Sequence, residues 1–157
     1  MTTAATTAFP APRAGALELT QSVRRGLARV PMSVIELGMR VGVGMVFWKS
    51  SMLKLASWDT TVQLFADEYR LPLLPPDVAA VTGTATELTG SILLFLGLGA
   101  RFGAAALLGL TLTIQLLVYP ENWPDHLLWG SILAYVLTRG AGRLSVDHLI
   151  ARRLGLG

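Results

Sequence analysis

Glu87 stands near the middle of an almost wholly apolar run, Val78 to Leu98, that is long enough to cross a bilayer. A carboxylate at that depth costs roughly 2.5–3.5 kcal/mol on insertion scales, so it persists where it has a partner or a task. Arg40 and Lys49 lie inside a second such run, Val34 to Leu53. Two kinds of chemistry suit these groups: handling a proton, or anchoring a polar ligand. The competing account is structural, with Arg40 and Glu87 satisfying each other or nearby carbonyls. Counting about 1.5 Å per residue along each helix predicts Glu87 within reach of Arg40 or, failing that, of Lys49. Arg40 also has Glu36 one turn before it, at pairing distance along a helix.

The densest chemistry is Tyr119-Pro120-Glu121-Asn122-Trp123-Pro124-Asp125-His126. Trp and Tyr at such a place are ordinary interfacial anchors. The sharper reading is an outward-opening pocket lined by Trp123, Asp125 and His126, with Lys54 contributing and Glu87 as its floor. In it Glu87, Asp125 and His126 would handle protons, while Arg40, Lys54 and Trp123 hold a quinone-like ligand. A metal site fails on arithmetic. There is no cysteine, and His126 and His148 fall on opposite sides of any span between them. The same placement excludes a bis-histidine haem, and the lack of cysteine excludes thiol redox chemistry and iron–sulfur clusters. Gly97-Leu98-Gly99 meets Phe102 where a dinucleotide loop needs its third glycine, so it reads as a turn.

The elements that must position these groups are membrane helices. Hydrophobic residues make up 52% of the 157 and charged residues 15%, against about 25% charged in a soluble domain. The net charge of +3 is scattered among apolar runs and forms no basic face for nucleic acid. Four runs stand out: Val34–Leu53, Val78–Leu98, Phe102–Tyr119 and His126–Thr138. The fourth is short, and spans only if its first turn is sunk within the bundle. With the N-terminus inside, nine Lys/Arg fall on inner segments and two, Lys54 and Arg70, on outer ones. That bias places both termini in the cytoplasm.

On the first run, Arg40, Gly44, Phe47, Ser51 and Lys54 share one stripe, which should face the protein interior, while Lys49 lies opposite and can snorkel. Gly38/Gly42, Ala79/Gly83 and Gly99/Gly103 have the spacing that lets helices approach closely. Residues 1–33 carry four arginines and no secretory core, and read as a cytoplasmic tail more than as a transit peptide. Within it Leu19, Val23, Leu27 and Val30 share a stripe apart from Arg24, Arg25 and Arg29, the pattern of a helix lying on anionic lipid. Residues 34–157 form the membrane domain. Residues 54–77 make an acidic outer loop whose Leu71-Pro72-Leu73-Leu74-Pro75-Pro76 run cannot be regular helix.

The order Arg40, Phe47, Lys54, Leu71-Pro72, Glu87 with Gly90, Leu96-Gly97-Leu98 and Arg101, closed by Arg143-Leu144-Ser145-Val146-Asp147, resembles the DoxX family of four-span membrane proteins. The resemblance covers about residues 34–150. It implies an all-α, four-helix transmembrane bundle of the bacterial cytoplasmic (inner) membrane. The family includes the quinone-reducing membrane subunit of a thiosulfate:quinone oxidoreductase and members proposed to sit in membrane redox complexes. The expected function is therefore a quinone-interacting or accessory subunit working with a redox partner protein, surrounded by lipid, its self-association left open. The alternative is a non-enzymatic scaffold or small-solute transporter with structural or substrate-binding charges.

Overall fold

The computed structural model describes residues 14–155. Among them every regular element is a helix. The chain divides into two compact units, residues 1–32 and 33–157. The first contains α1, Ala14–Leu27, which exposes Leu19, Val23 and Leu27 and carries Arg24 and Arg25 in its last turn. The start of the tail, including Arg13, lies outside the described residues.

The second unit is built from α2 (Met32–Ala56), α3 (Trp58–Leu64) running into a π-helical turn (Phe65–Tyr69), α4 (Pro76–Leu96), α5 (Ala100–Leu117), α6 (Trp123–Arg139) and α7 (Val146–Arg153). The punctuation is legible in the residues. Both α4 and α6 carry proline in their first turn, where its missing N–H costs nothing and its fixed φ starts the helix. Gly97, at φ +62°, ends α4 in the left-handed geometry that glycine adopts without strain. The proline-rich stretch after Tyr69 is irregular, as expected, but the loop before it is helical rather than open. Thr61 fixes that helix by donating to the Lys54 carbonyl at 2.8 Å.

Two helices, α4 and α5, are long and apolar enough to cross a membrane, with mean hydropathy 1.4 and 1.5; the count reaches three if residues 17–27 and α2 form one span. α2 alone carries Glu36, Arg40, Lys49 and Lys54, and α6 has 17 residues. Only 39% of the α4 segment and 33% of the α5 segment is buried. The remainder shows Val78, Val81, Ile92, Leu112, Leu116 and Leu117 outward. A water-facing helix would keep one apolar stripe and hide it; these helices are apolar all round, as lipid requires.

α5 packs closely on both α4 and α6. A Cβ at Gly90 would lie 2.6 Å from Leu107, and one at Gly103 would lie 3.2 Å from the Gly90 carbonyl. Gly83, of the Ala79/Gly83 pair, receives the Phe65 ring. The Gly38/Gly42 pair packs against nothing among the described residues, and the close approach on α2 is instead at Gly44, against Phe95. The interior is filled by Val43, Phe47, Leu94, Ala104, Leu107, Leu133 and Val136.

Candidate functional site

Polar side chains inside this apolar unit gather at two ends. At one end, Lys54 on α2 reaches Glu87 on α4, with Nζ 2.5 Å from Oε1. Ser50, one turn before Lys54, donates to the same oxygen at 3.1 Å and accepts from Lys54 at 3.0 Å. Glu87 is 3% exposed, and its second oxygen, Oε2, has no hydrogen-bond partner. Lys54 has three N–H groups, of which Ser50 and Glu87 take two.

Facing this pair is His126 on α6, 5% exposed. Its Nδ1 lies 2.6 Å from Gln115 Oε1, and Gln115 Nε2 donates to the Pro120 carbonyl at 2.7 Å. A carbonyl can only accept, so the Gln115 atom facing Pro120 is the amide nitrogen, and the atom facing His126 is its oxygen. That oxygen can only accept as well. His126 therefore carries a proton on Nδ1, and in the neutral ring Nε2 presents a lone pair. Trp129 packs on the imidazole with ring centres 5.2 Å apart.

A cavity of about 160 Å³ lies among these groups, lined by Val46, Phe47, Ser50, Lys54, Tyr69, Glu87, Ile114, Tyr119, Asn122, His126 and Trp129. Its walls are apolar and aromatic. Its ionisable lining groups are one ammonium, one carboxyl and one imidazole, those of Lys54, Glu87 and His126. That combination can hold a flat, mostly apolar molecule with oxygens at its edge, and can give or take a proton there.

At the other end, Arg40 is 1% exposed and donates to two main-chain carbonyls, Leu94 near the end of α4 and Leu144 before α7, each at 2.6 Å. The Asp147 carboxylate accepts from the amides of Gly99 and Ala100 at 2.8 and 3.2 Å, where the first turn of α5 has unpaired donors. Its own amide donates to the Gly97 carbonyl at 2.9 Å. Gly142, at φ +78°, leaves room for Glu36, whose carboxylate accepts from Tyr135 at 3.0 Å. This end ties α2, α4, α5 and α7 together, and most of its bonds end on main chain.

Several expectations need correction. Arg40 does not reach Glu87: α2 and α4 run antiparallel in a register that sets Arg40 level with Leu94 and Ser50–Lys54 level with Glu87. Lys49 is exposed and is not the partner either. Counting depth from the ends of the apolar runs missed this, because contacts such as Arg40 on Leu94 and Phe95 against Gly44, and not the ends of the runs, set the offset between α2 and α4. Trp123 is 56% exposed and Asp125 is exposed, and neither lines the cavity. The first turn of α6 sinks only its inward face, so His126 is buried while residues one and three before it point out. Arg40 lies at the opposite end from the cavity. Lys54, Glu87 and His126 line one cavity.

The sequence reading overlooked Ser50, Tyr69, Gln115 and Trp129. Gln115 left a readable signal, being the one amide in the α5 run. Trp129 falls one turn after His126, on the same face. Tyr69 had none, because only the folded loop carries it back over the bundle.

These features define a helical membrane protein with a polar cavity at one end and a main-chain clasp at the other. The family model described as DoxX matches residues 35–120, more than half of the chain, and the chain belongs to that family. Neither curated proteins nor solved structures gave a match.

Proposed function

We propose that this chain is a four-span subunit of the bacterial cytoplasmic membrane that seats a quinone headgroup in the Lys54–Glu87–His126 cavity. In this reading α2, α4, α5 and α6 span, both termini are cytoplasmic, the cavity opens outward, and a redox partner protein supplies electrons, as in a thiosulfate:quinone-type oxidoreductase. One observation carries it: three ionisable side chains from three helices, Lys54, Glu87 and His126, each nine-tenths or more buried, line one cavity large enough for a ring. A ligand with oxygens at its edge would give these groups hydrogen-bond partners that the apolar surroundings do not.

A bound quinone supplies two-electron, two-proton chemistry that no side chain here possesses. The protein's own part is separable. Lys54 donates its remaining N–H to a ring oxygen. His126 Nε2 and Glu87 Oε2 accept a hydroxyl proton and hold it close to where it must return. Phe47 and Trp129, edge to face at 5.8 Å, wall the ring and limit water.

Titration of the purified protein with a short-chain quinone, followed by tryptophan fluorescence, tests the site. Wild type should saturate, and His126→Ala and Lys54→Met should weaken binding. Asp125→Asn and Trp123→Phe should not. No saturation in wild type, or equal affinity throughout, leaves the scaffold or transporter reading. The cysteine-free sequence makes topology direct. In intact cells an impermeant thiol reagent should label Asp67→Cys and Asn122→Cys but not Thr3→Cys or Leu156→Cys. Labelling at Thr3 would overturn the orientation.

A further inference from the structure

The exposed charge of the second unit is sorted by end. At the Lys54 end it is mainly acidic, with Asp67, Glu68 and Asp77 on the surface. At the Arg40 end Arg101, Arg139, Arg143, Arg152 and Arg153 are exposed, and among the described residues none of the five forms an ion pair. The two acids there are already committed: Glu36 accepts from Tyr135, and Asp147 from the amides of Gly99 and Ala100. Arg101 leans over Gly140, where a Cβ would lie 3.5 Å from its Nε, and so sits beside the residue that follows Arg139. α7 adds a second signal. Ser145 caps it by accepting from the His148 amide at 3.2 Å, and Asp147 pins it to the turn between α4 and α5. Leu149 and Ile150, at 58% and 43% exposure, are turned outward together with Arg152 and Arg153. Apolar and guanidinium groups on one exposed face suit neither water nor the hydrocarbon core. They suit the boundary between the two.

We propose that the Arg40 end docks on anionic phospholipid, with α7 as its foot in the headgroup layer. α4 and α5, the two helices apolar enough to span, meet at this end, so the foot lies where a leaflet surface must be. Leu149 and Ile150 enter the upper acyl region. Arg152 and Arg153 reach back to the phosphates, to which a guanidinium presents two parallel N–H donors. Arg101, Arg139 and Arg143 extend the same attraction around the end of the bundle. Asp147 bonds α7 to the α4–α5 turn, and Arg40 holds the Leu144 carbonyl just before it, so the foot moves with the bundle. Lipid held there fixes the depth of the spans. Arginines kept only to orient the chain during insertion would need no apolar neighbours on α7. An acidic protein partner would match the charge and leave Leu149 and Ile150 unused; an anionic leaflet uses both.

The cysteine-free sequence allows a single bimane label at Leu149→Cys. The full chain is reconstituted in phosphatidylcholine vesicles in which a minority of the lipid is acyl-brominated, as either phosphatidylglycerol or phosphatidylcholine. Brominated phosphatidylglycerol should quench the label the more strongly. Arg152→Gln and Arg153→Gln should each lower that preference by up to about fivefold, the scale of one basic residue at an anionic surface. Both arginines are exposed, so these variants should keep the parent unfolding temperature. Equal quenching by the two lipids with the arginines intact, or an unchanged preference in both variants, overturns the anionic-lipid site. A label open to aqueous iodide and untouched by either lipid would put the α7 face in water. One shielded from iodide and from both lipids would put a protein over it, such as a second copy of the chain; each result overturns the docking. Inorganic phosphate, compared with chloride at equal ionic strength, should leave the preference unchanged. Its loss would make the arginines a free-phosphate site and sink the lipid assignment. Neither quinone nor orientation enters these outcomes, because both leaflets of the vesicles have one composition.

Discussion

The two polar ends of this bundle use similar residues for different purposes. At the Arg40 end, a buried cation and a half-buried carboxylate make their hydrogen bonds to main chain: Arg40 to two carbonyls, with its Nε left unpaired, and Asp147 to two amides. At the Lys54 end the bonds run between side chains, and a carboxylate oxygen is left over beside a cavity. Main-chain partners cannot change protonation or swing away, so the first arrangement locks helices in register. Side-chain partners can do both, so the second can trade a bond for a ligand. The stretch from Leu144 to Asp147 belongs to the lock, and its placement says little about chemistry.

Breaking each end should separate the two roles. The largest loss is expected from Arg40→Met, which removes two charge-assisted bonds and strands two carbonyls, costing roughly 3–6 kcal/mol at about 1.5–3 per bond. Unfolding in detergent would show it, and no second substitution should restore it, because the partners are backbone. A stability change below about 1 kcal/mol would mean that water replaces the guanidinium.

Lys54→Met should cost roughly 3–5 kcal/mol by leaving Glu87 unpaired. Here the comparison sharpens. Adding Glu87→Leu should recover most of that stability, since an apolar pair replaces an ionic one at little cost, while quinone binding stays lost. A double variant as unstable as the single one would show that the ion pair is a lock after all.

Asp147→Ala should be milder, about 1–2 kcal/mol, the usual scale for losing an N-terminal cap. Hydrogen exchange should rise at Gly99 and Ala100 while the Lys54 end is unaffected. Protection lost at both ends would deny their independence. The smallest effect is expected from Gln115→Leu. It frees the His126 tautomer and leaves the Pro120 carbonyl unpaired, weakening quinone binding by about 1 kcal/mol, or roughly fivefold. The histidine nitrogen-15 shifts should then show both tautomers; an unchanged Nδ1–H spectrum would remove Gln115 from the site.

The residues by themselves determined the solvent and the helices. Runs of apolar residues without alternation leave few other options in lipid, and the first-turn prolines and Gly97 mark the helix boundaries. The identity of the important polar groups was also legible, because a charge inside such a run is costly wherever it ends up. Lys54, Glu87 and His126 were named from the sequence, but alongside Arg40, Trp123 and Asp125, which do not line the cavity. Pairing was another matter. Whether Glu87 met Arg40 or Lys54 depended on the offset between two antiparallel helices, and a shift of about four turns exchanges one partner for the other. That offset is set by contacts distant in sequence, Arg40 on Leu94 and Leu144, Phe95 in the notch at Gly44, and Phe65 on Gly83. The same holds for Tyr69, whose place in the cavity wall follows from the π-helical turn, and for Trp129, which lines the cavity while the more conspicuous Trp123 does not. Local sequence fixes which groups must be satisfied; only the packed tertiary structure decides which atoms satisfy them, because hydrogen bonds resolve distances finer than any count along a helix.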